Sequence, residues 1–307
     1  RPRQRGRIDW LGALLIIAAT TPILLGLSNI ETAGAWLRPS VLVPLLIGVA
    51  LTVLLLVWER EARSPMIPLR LFVNRIFAVA SLITFTMSMV MIAMIILVPL
   101  AFELMGGIAP NEAGMRLIPM TGGTVLGSYI AGQLVTRTGR YRRYPVIGAG
   151  VMTLACAGMA LFGLGHSVVL DTILTTGLGL SFGFQLSPVI VPVQNALALE
   201  DTGVGLAVIM FFRLIGGAFG VALLTAVLVA GLNSAVLGLP GHQALGAEPG
   251  LALMRLNLTG AANAPVVAGL STAVRTAFDQ VFWFAAAISS VTFFGSLGLK
   301  EIPLRGA

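Results

Sequence analysis

Apolar residues run almost unbroken for about twenty positions at a time along this chain, and they do so eight times, near 9–29, 41–58, 76–102, 114–135, 145–165, 168–197, 204–231 and 279–299. A helix that crosses a bilayer needs about 20 such residues, because the hydrocarbon core is roughly 30 Å thick and a helix rises about 1.5 Å per residue. The runs are continuous rather than alternating, so they predict helices and not the strands of a barrel. The expected fold is an all-α integral membrane protein with eight transmembrane helices. Composition points the same way: only 10% of the residues are charged, against roughly a quarter in a soluble domain.

The polar residues between the spans set an orientation. Arg1, Arg3, Arg5, Arg7, Arg60, Arg63, Arg70, Arg75, Arg137, Arg140, Arg142, Arg143, Lys300 and Arg305 fall on one side of the alternating spans, and Arg38, Arg116, Arg255 and Arg275 on the other. By the positive-inside rule the richer side is cytoplasmic, which puts both ends of this segment inside a multi-pass protein of the plasma membrane. The net charge of +7 is then a record of topology, and it implies lipid rather than nucleic acid as the partner. Residues 62–75 form a basic, amphipathic linker, expected to lie on the inner leaflet or to be plainly solvated. Residues 232–276 form one long outer loop, the kind that is usually functional or mobile.

Few residues in the spans carry chemistry. Arg213 lies about ten residues into the seventh span, where a cation costs between about 2.5 and 10 kcal/mol or more. It either faces the bundle interior or reaches back to the inner interface, and the sequence leaves both open. Glu103 closes the third span at the outer interface, a position for a titrating carboxylate or for a solvated one. Asp171 and Asp279, also near outer ends, are weaker candidates. Gln185, Ser187, Gln194 and Asn195 mark a polar stripe on the sixth span beside Pro188 and Pro192, expected to bend and to line something wet. Met87, Met89, Met91 and Met94 suit either ordinary packing or a site for varied apolar ligands. Glycines four apart, Gly123 with Gly127, Gly179 with Gly183 and Gly216 with Gly220, the last pair joined by Gly217, predict close helix crossings. Cys156 reads as a small buried apolar residue. No phosphate-binding loop or metal-ligand spacing is present, and His166 and His242 fall in outer loops, so an enzyme and a metal or other cofactor are not expected.

The loop after the fourth span, Gly132-Gln-Leu-Val-Thr-Arg-Thr-Gly-Arg-Tyr-Arg-Arg143, resembles the signature loop of the major facilitator superfamily, Gly-x-x-x-Asp-Arg-x-Gly-Arg-Arg, through Gly132, Arg137, Gly139 and Arg140, with Arg142 one residue past the last Arg position. Thr136 stands at the Asp position. The resemblance implies that Gly132 lets two helices approach and that the Arg cluster binds carboxylates and helix C-termini on the inner face. Several stretches are similar to the fourteen-span drug:proton antiporters of the EmrB/QacA type. These are the linker around Leu69-Arg-Leu-Phe72, the segment 99–119 with Glu103 where Gln is usual, Gln194-Asn195, Phe211-Phe212-Arg213 followed by Gly216-Gly217, and the tail from Glu301. That branch has six spans, two linking spans and six more. The resemblance therefore implies that residues 1–61 are the linking spans, 62–75 a cytoplasmic linker and 76–307 the C-terminal six-helix bundle, with the N-terminal half and its main proton-coupling carboxylate missing from this chain. It further implies a proton-driven antiporter that exports hydrophobic, often cationic, drugs. Export of a dedicated endogenous metabolite and a non-transporting membrane scaffold are the alternatives.

Overall fold

Helices account for nearly all of the computed structural model, which describes residues 9–33, 37–62, 65–165, 167–237 and 264–301. Arg1, Arg3, Arg5, Arg7, Arg63, His166, His242, Arg255 and Arg305 lie outside the described residues, as does the Ser187 side chain. In chain order the elements are α1 (Trp10–Ala33), α2 (Pro39–Glu61), a short 3-10 helix (Leu69–Val73), α3 (Arg75–Gly106), α4 (Pro110–Met115), α5 (Ile118–Thr138), α6 (Arg143–Phe162), α7 (Val168–Ala196), α8 (Leu199–Leu237) and α9 (Ala264–Leu297). Their ends follow local chemistry. Asn74 caps α3 by accepting from the Ile76 N–H at 3.0 Å, and Ser167 caps α7 from the Leu170 N–H. Gly107 and Gly139 end α3 and α5 in the left-handed conformation, at φ 62° and 65°, which costs a residue without a Cβ little.

Seven of the described helices are long and apolar enough to cross a membrane, which makes this a multi-pass membrane protein. The eighth long helix, α5, falls short of that apolarity, a difference from the eight apolar spans expected. Thr121, Thr124, Ser128, Gln133 and Thr136 along it, with glycines between, dilute its hydropathy. The expected 114–135 span is also cut, because Pro110 and Pro119 sit in the first turns of two separate helices, α4 and α5, where proline's missing N–H leaves no helical bond unmade. Helix also takes over both flanks of the expected 232–276 loop, as α8 runs on to Leu237 and α9 starts at Ala264. The rest of that loop, 238–263, lies outside the described residues.

α3 occupies the middle of the bundle and packs on α7, α8 and α9; α7 packs on α5 and α6, α6 on α9, and α1 on α2 and α8. In its most apolar stretch α3 is 72% buried and α2 only 17%, so α2 is the peripheral span. Two crossings are close. A Cβ on Gly123 would stand 2.7 Å from the Thr176 carbonyl oxygen and one on Gly127 2.6 Å from that of Leu180, while Gly179 and Gly183 face the backbone of α5 in return. Gly216 and Gly220 on α8 lie against the backbone of α3 at Phe85 and Met89. A Cβ on Gly132 would meet no described atom within 4 Å, so none of the described helices lies against it.

The linker departs from a surface-lying segment. Leu71 is buried and Phe72 packs edge-on against Phe77 and Phe212 at the end of the bundle. Arg70 forms a two-pronged ion pair with Asp201 on the first turn of α8, at 2.8 and 2.5 Å, and Asp201 holds the guanidinium above its ordinary pKa. Asn74 Nδ2 donates to the Ala196 carbonyl at 3.1 Å. These contacts bring the start of α3, the end of α7 and the start of α8 to one level, the basic end of the molecule.

Candidate functional site

Three helices leave that level together and meet again farther along the bundle. Met87 lies twelve residues beyond Arg75 on α3, Gln185 eleven before Ala196 on α7, and Arg213 twelve beyond Asp201 on α8, so each stands about 17–18 Å from the basic end. There they line one pocket with Thr84, Val189 and Ile209. Thr84, Met87, Gln185, Val189 and Ile209 are each at most 5% exposed, and Arg213 is half-buried.

α8 begins at Leu199, so Arg213 lies fourteen residues into the helix, about 21 Å along its axis, and an arginine side chain spans only about a third of that length. No hydrogen bond or ion pair joins Arg213 to another described residue. The Gln185 amide is fixed at one end only: Nε2 donates to the Ser181 carbonyl at 3.0 Å and lies 3.9 Å from the Met152 sulfur, while Oε1 is buried with no hydrogen-bond partner. Since a carbonyl accepts and cannot donate, Ser181 sets which amide atom faces it. Pro188 and Pro192 on α7 bring no backbone N–H, which frees the carbonyls one turn earlier, at Phe184 and Pro188. The free space among the lining side chains is about 10 Å³, room for roughly one water. In this arrangement the layer is too small for a drug-sized molecule, and its helices must part before it can take a ligand's polar groups and the hydrocarbon beside them.

The other sequence candidates lie elsewhere. Gln194 is exposed and Asn195 half-buried at the basic end of α7, so the expected polar stripe divides and only Gln185 reaches the layer. Glu103 is half-buried near the far end of α3, and Asp279 sits eighteen residues ahead of Leu297 on α9. Met89, Met91 and Met94 are packed in the core, as is Cys156. Thr84 went unread although Ser81, Thr84 and Ser88, three and four residues apart, place hydroxyls on one face of α3.

Two further clusters occupy the ends of the bundle. At the basic end Arg142 donates to the Leu297 carbonyl at 2.9 Å, capping α9, and the fully buried Tyr141 donates to the Lys300 carbonyl at 2.7 Å. Arg137 and Arg140 are exposed. Thr136, at the Asp position of the signature, bonds back to the Gly132 and Gln133 carbonyls of its own helix. Tyr141 stands at the last Arg position of the signature, and only the fold reveals its role. At the opposite end Arg116 pairs with Glu112 at 3.0 Å and with the buried Asp171 at 3.6 Å, and its guanidinium lies 5.6 Å from the centre of the Phe102 ring. Asp171 also accepts from the Gly165 N–H. These residues border a cavity of about 310 Å³. It is roomier than the mid-depth pocket, but its one guanidinium is already paired with both of its carboxylates.

No protein-family model matches the chain. An uncharacterized MFS-type transporter of Mycobacterium tuberculosis is 32% identical over 302 residues, covering 97% of this chain and 43% of the relative. A tetracycline resistance determinant of Streptomyces rimosus is 27% identical over 248 residues, covering 80% of this chain and 71% of the relative. An MFS-type transporter of the acurin A biosynthesis cluster of Aspergillus aculeatus is 30% identical, covering 73% of this chain and 41% of the relative. The chain thus spans less than half the length of the first curated relatives it matches. Among solved structures, a bacterial homologue of the human lysosomal transporter Spinster, inward-facing and unoccupied, aligns with a TM-score of 0.58 at 15% identity, over 97% of this chain and 71% of that one. The likeness gives the chain an MFS-like fold.

Proposed function

Because this multi-pass chain is one of the MFS-type transporters by sequence and fold, we propose that it is the C-terminal portion of a fourteen-span proton-coupled antiporter that exports hydrophobic compounds across the plasma membrane. In this reading α1 and α2 are linking spans, α3 to α9 form one of two opposed bundles, and the basic end faces the cytoplasm. The remaining length of the relatives supplies the other bundle and the proton-coupling carboxylate. The two bundles rock about a site near the midplane. One observation carries the reading: an uncompensated guanidinium and a partnerless amide oxygen are held inside the bundle, about 17–18 Å from its basic end, where three helices meet. Polar groups are costly there and persist where substrate or ion passes. The efflux pump names among the relatives support export as the direction, and the tetracycline resistance determinant supports drugs as cargo. The biosynthesis-cluster relative favours a second reading, export of a single endogenous metabolite.

The test is efflux of a panel of fluorescent hydrophobic compounds of either charge from cells expressing the full-length protein, with and without an uncoupler, beside an Arg213→Ala variant. Efflux that stops with the uncoupler and falls in the variant is expected. Correctly inserted protein that moves no compound of the panel refutes multidrug export and leaves the dedicated metabolite.

A further inference from the structure

The mid-depth layer carries one charge, and its sign runs against the lipophilic cations that the sequence resemblance brings to mind. Arg213 is the sole charged residue among those lining the pocket, and no carboxylate borders it. Among the described acidic residues of the bundle, Glu103, Glu112 and Asp171 lie toward the far end, and Glu200 and Asp201 at the basic end. Asp279 is on α9, which contributes nothing to the pocket. In a medium of low dielectric an unpaired guanidinium attracts an anion and repels a cation over several ångströms, and its planar fork fits a carboxylate through two parallel hydrogen bonds. Gln185 adds a second requirement. Its Oε1 is fully buried and partnerless while Nε2 is held by Ser181, so a ligand that brings no donor leaves that acceptor unmet, which costs affinity.

We propose that this layer is an anion-selecting subsite. Arg213 receives the carboxylate or enolate of an acidic amphiphile, and Gln185 Oε1 receives a hydroxyl or N–H donor on the same molecule. The apolar walls, Met87, Val189 and Ile209, hold the hydrocarbon beside those groups. The inference rests on the transporter reading above and names its substrate class: acidic, donor-bearing hydrophobic compounds in preference to lipophilic cations.

The experiment uses purified full-length protein in liposomes with a proton gradient and the membrane potential clamped at zero by valinomycin in equal potassium, so that charge reports recognition rather than driving force. Two fluorescent probes share one ring system, one bearing a carboxylate and the other a trimethylammonium group. The carboxylate probe is expected to move faster by roughly tenfold or more. The ratio falls toward one in Arg213→Gln and is largely kept in Arg213→Lys. Because each ratio is taken within one preparation, misfolded protein cancels. A hydroxylated carboxylate probe outruns its methyl ether in the wild type, and that advantage disappears in Gln185→Met. Faster movement of the ammonium probe, or a ratio unchanged in Arg213→Gln, overturns the subsite and leaves the exporter standing. No proton-driven movement of either probe overturns both.

Discussion

Replacing Gly220 with alanine adds one methyl group at the point where α8 lies against α3. The new Cβ would fall on the backbone of Met89, which no rotamer change can clear, so the helices must part by about 1 Å. Such a gap forfeits a quarter to a half of each dispersion well, and with on the order of 40 atom pairs at about 0.15 kcal/mol each the loss is about 2–3 kcal/mol. Alanine's better helix propensity returns about 1 kcal/mol. The net cost of about 1–2 kcal/mol corresponds to a fall in apparent Tm of about 1–3 °C, because unfolding entropy grows with chain length by about 2.1 cal/mol/K per residue. Gly132→Ala is the matched control, because its Cβ meets open space and only the propensity gain remains. Both variants of the full-length protein are read by thermal unfolding in detergent at one scan rate, monitored by fluorescence size-exclusion. Equal Tm shifts in the two would refute the reasoning, since the difference between them comes wholly from the α3–α8 contact.

At the basic end, Arg142→Gln removes the donor on the Leu297 carbonyl, and hydrogen exchange at residues 294–300 should quicken while the far ends of the helices keep their protection; unchanged exchange would mean that the cap contributes nothing. Tyr141→Phe leaves the ring packed but the Lys300 carbonyl without its partner, at a cost of about 1 kcal/mol seen as a lower Tm. Thr292→Val deletes the buried hydroxyl that donates to Thr86 at 2.8 Å between α9 and α3, and a loss of about 0.6 kcal/mol is expected, with little further loss when Thr86→Val is added. Arg116→Met strips the buried Asp171 of its cation, and the variant should lose stability at neutral pH and regain much of it when Asp171→Asn is added.

Length and hydropathy made most of the fold legible. Apolar runs near twenty residues dictate spanning helices, because backbone polar groups inside lipid find partners only within the helix itself. The glycine pairs marked the crossings, since small residues four apart are what lets two backbones approach. Arg213 and Gln185 stood out one at a time, as polar groups in apolar runs. Three matters were not legible. A polar spacing on α7 could not say that Gln185 belongs to the mid-depth layer while Gln194 and Asn195 belong to the basic end, because nine residues of helix separate them by about 14 Å. Gly132 matched a signature, yet whether a helix passes there depends on the packing of the others. The linker's apolar side suited lipid and protein equally well, and Phe77 and Phe212 claimed it.

The sequence by itself determined that the chain spans the membrane as helices, which side carries the positive charge, and which glycines invite contact, because each of these follows from local composition along one segment. Only the tertiary structure decided that Arg213 shares a layer with Thr84, Met87 and Gln185, and that Tyr141 and Arg142 close the end of α9. Those facts join residues far apart in the chain, and their distances are set by how long helices stack, which no single stretch of sequence encodes.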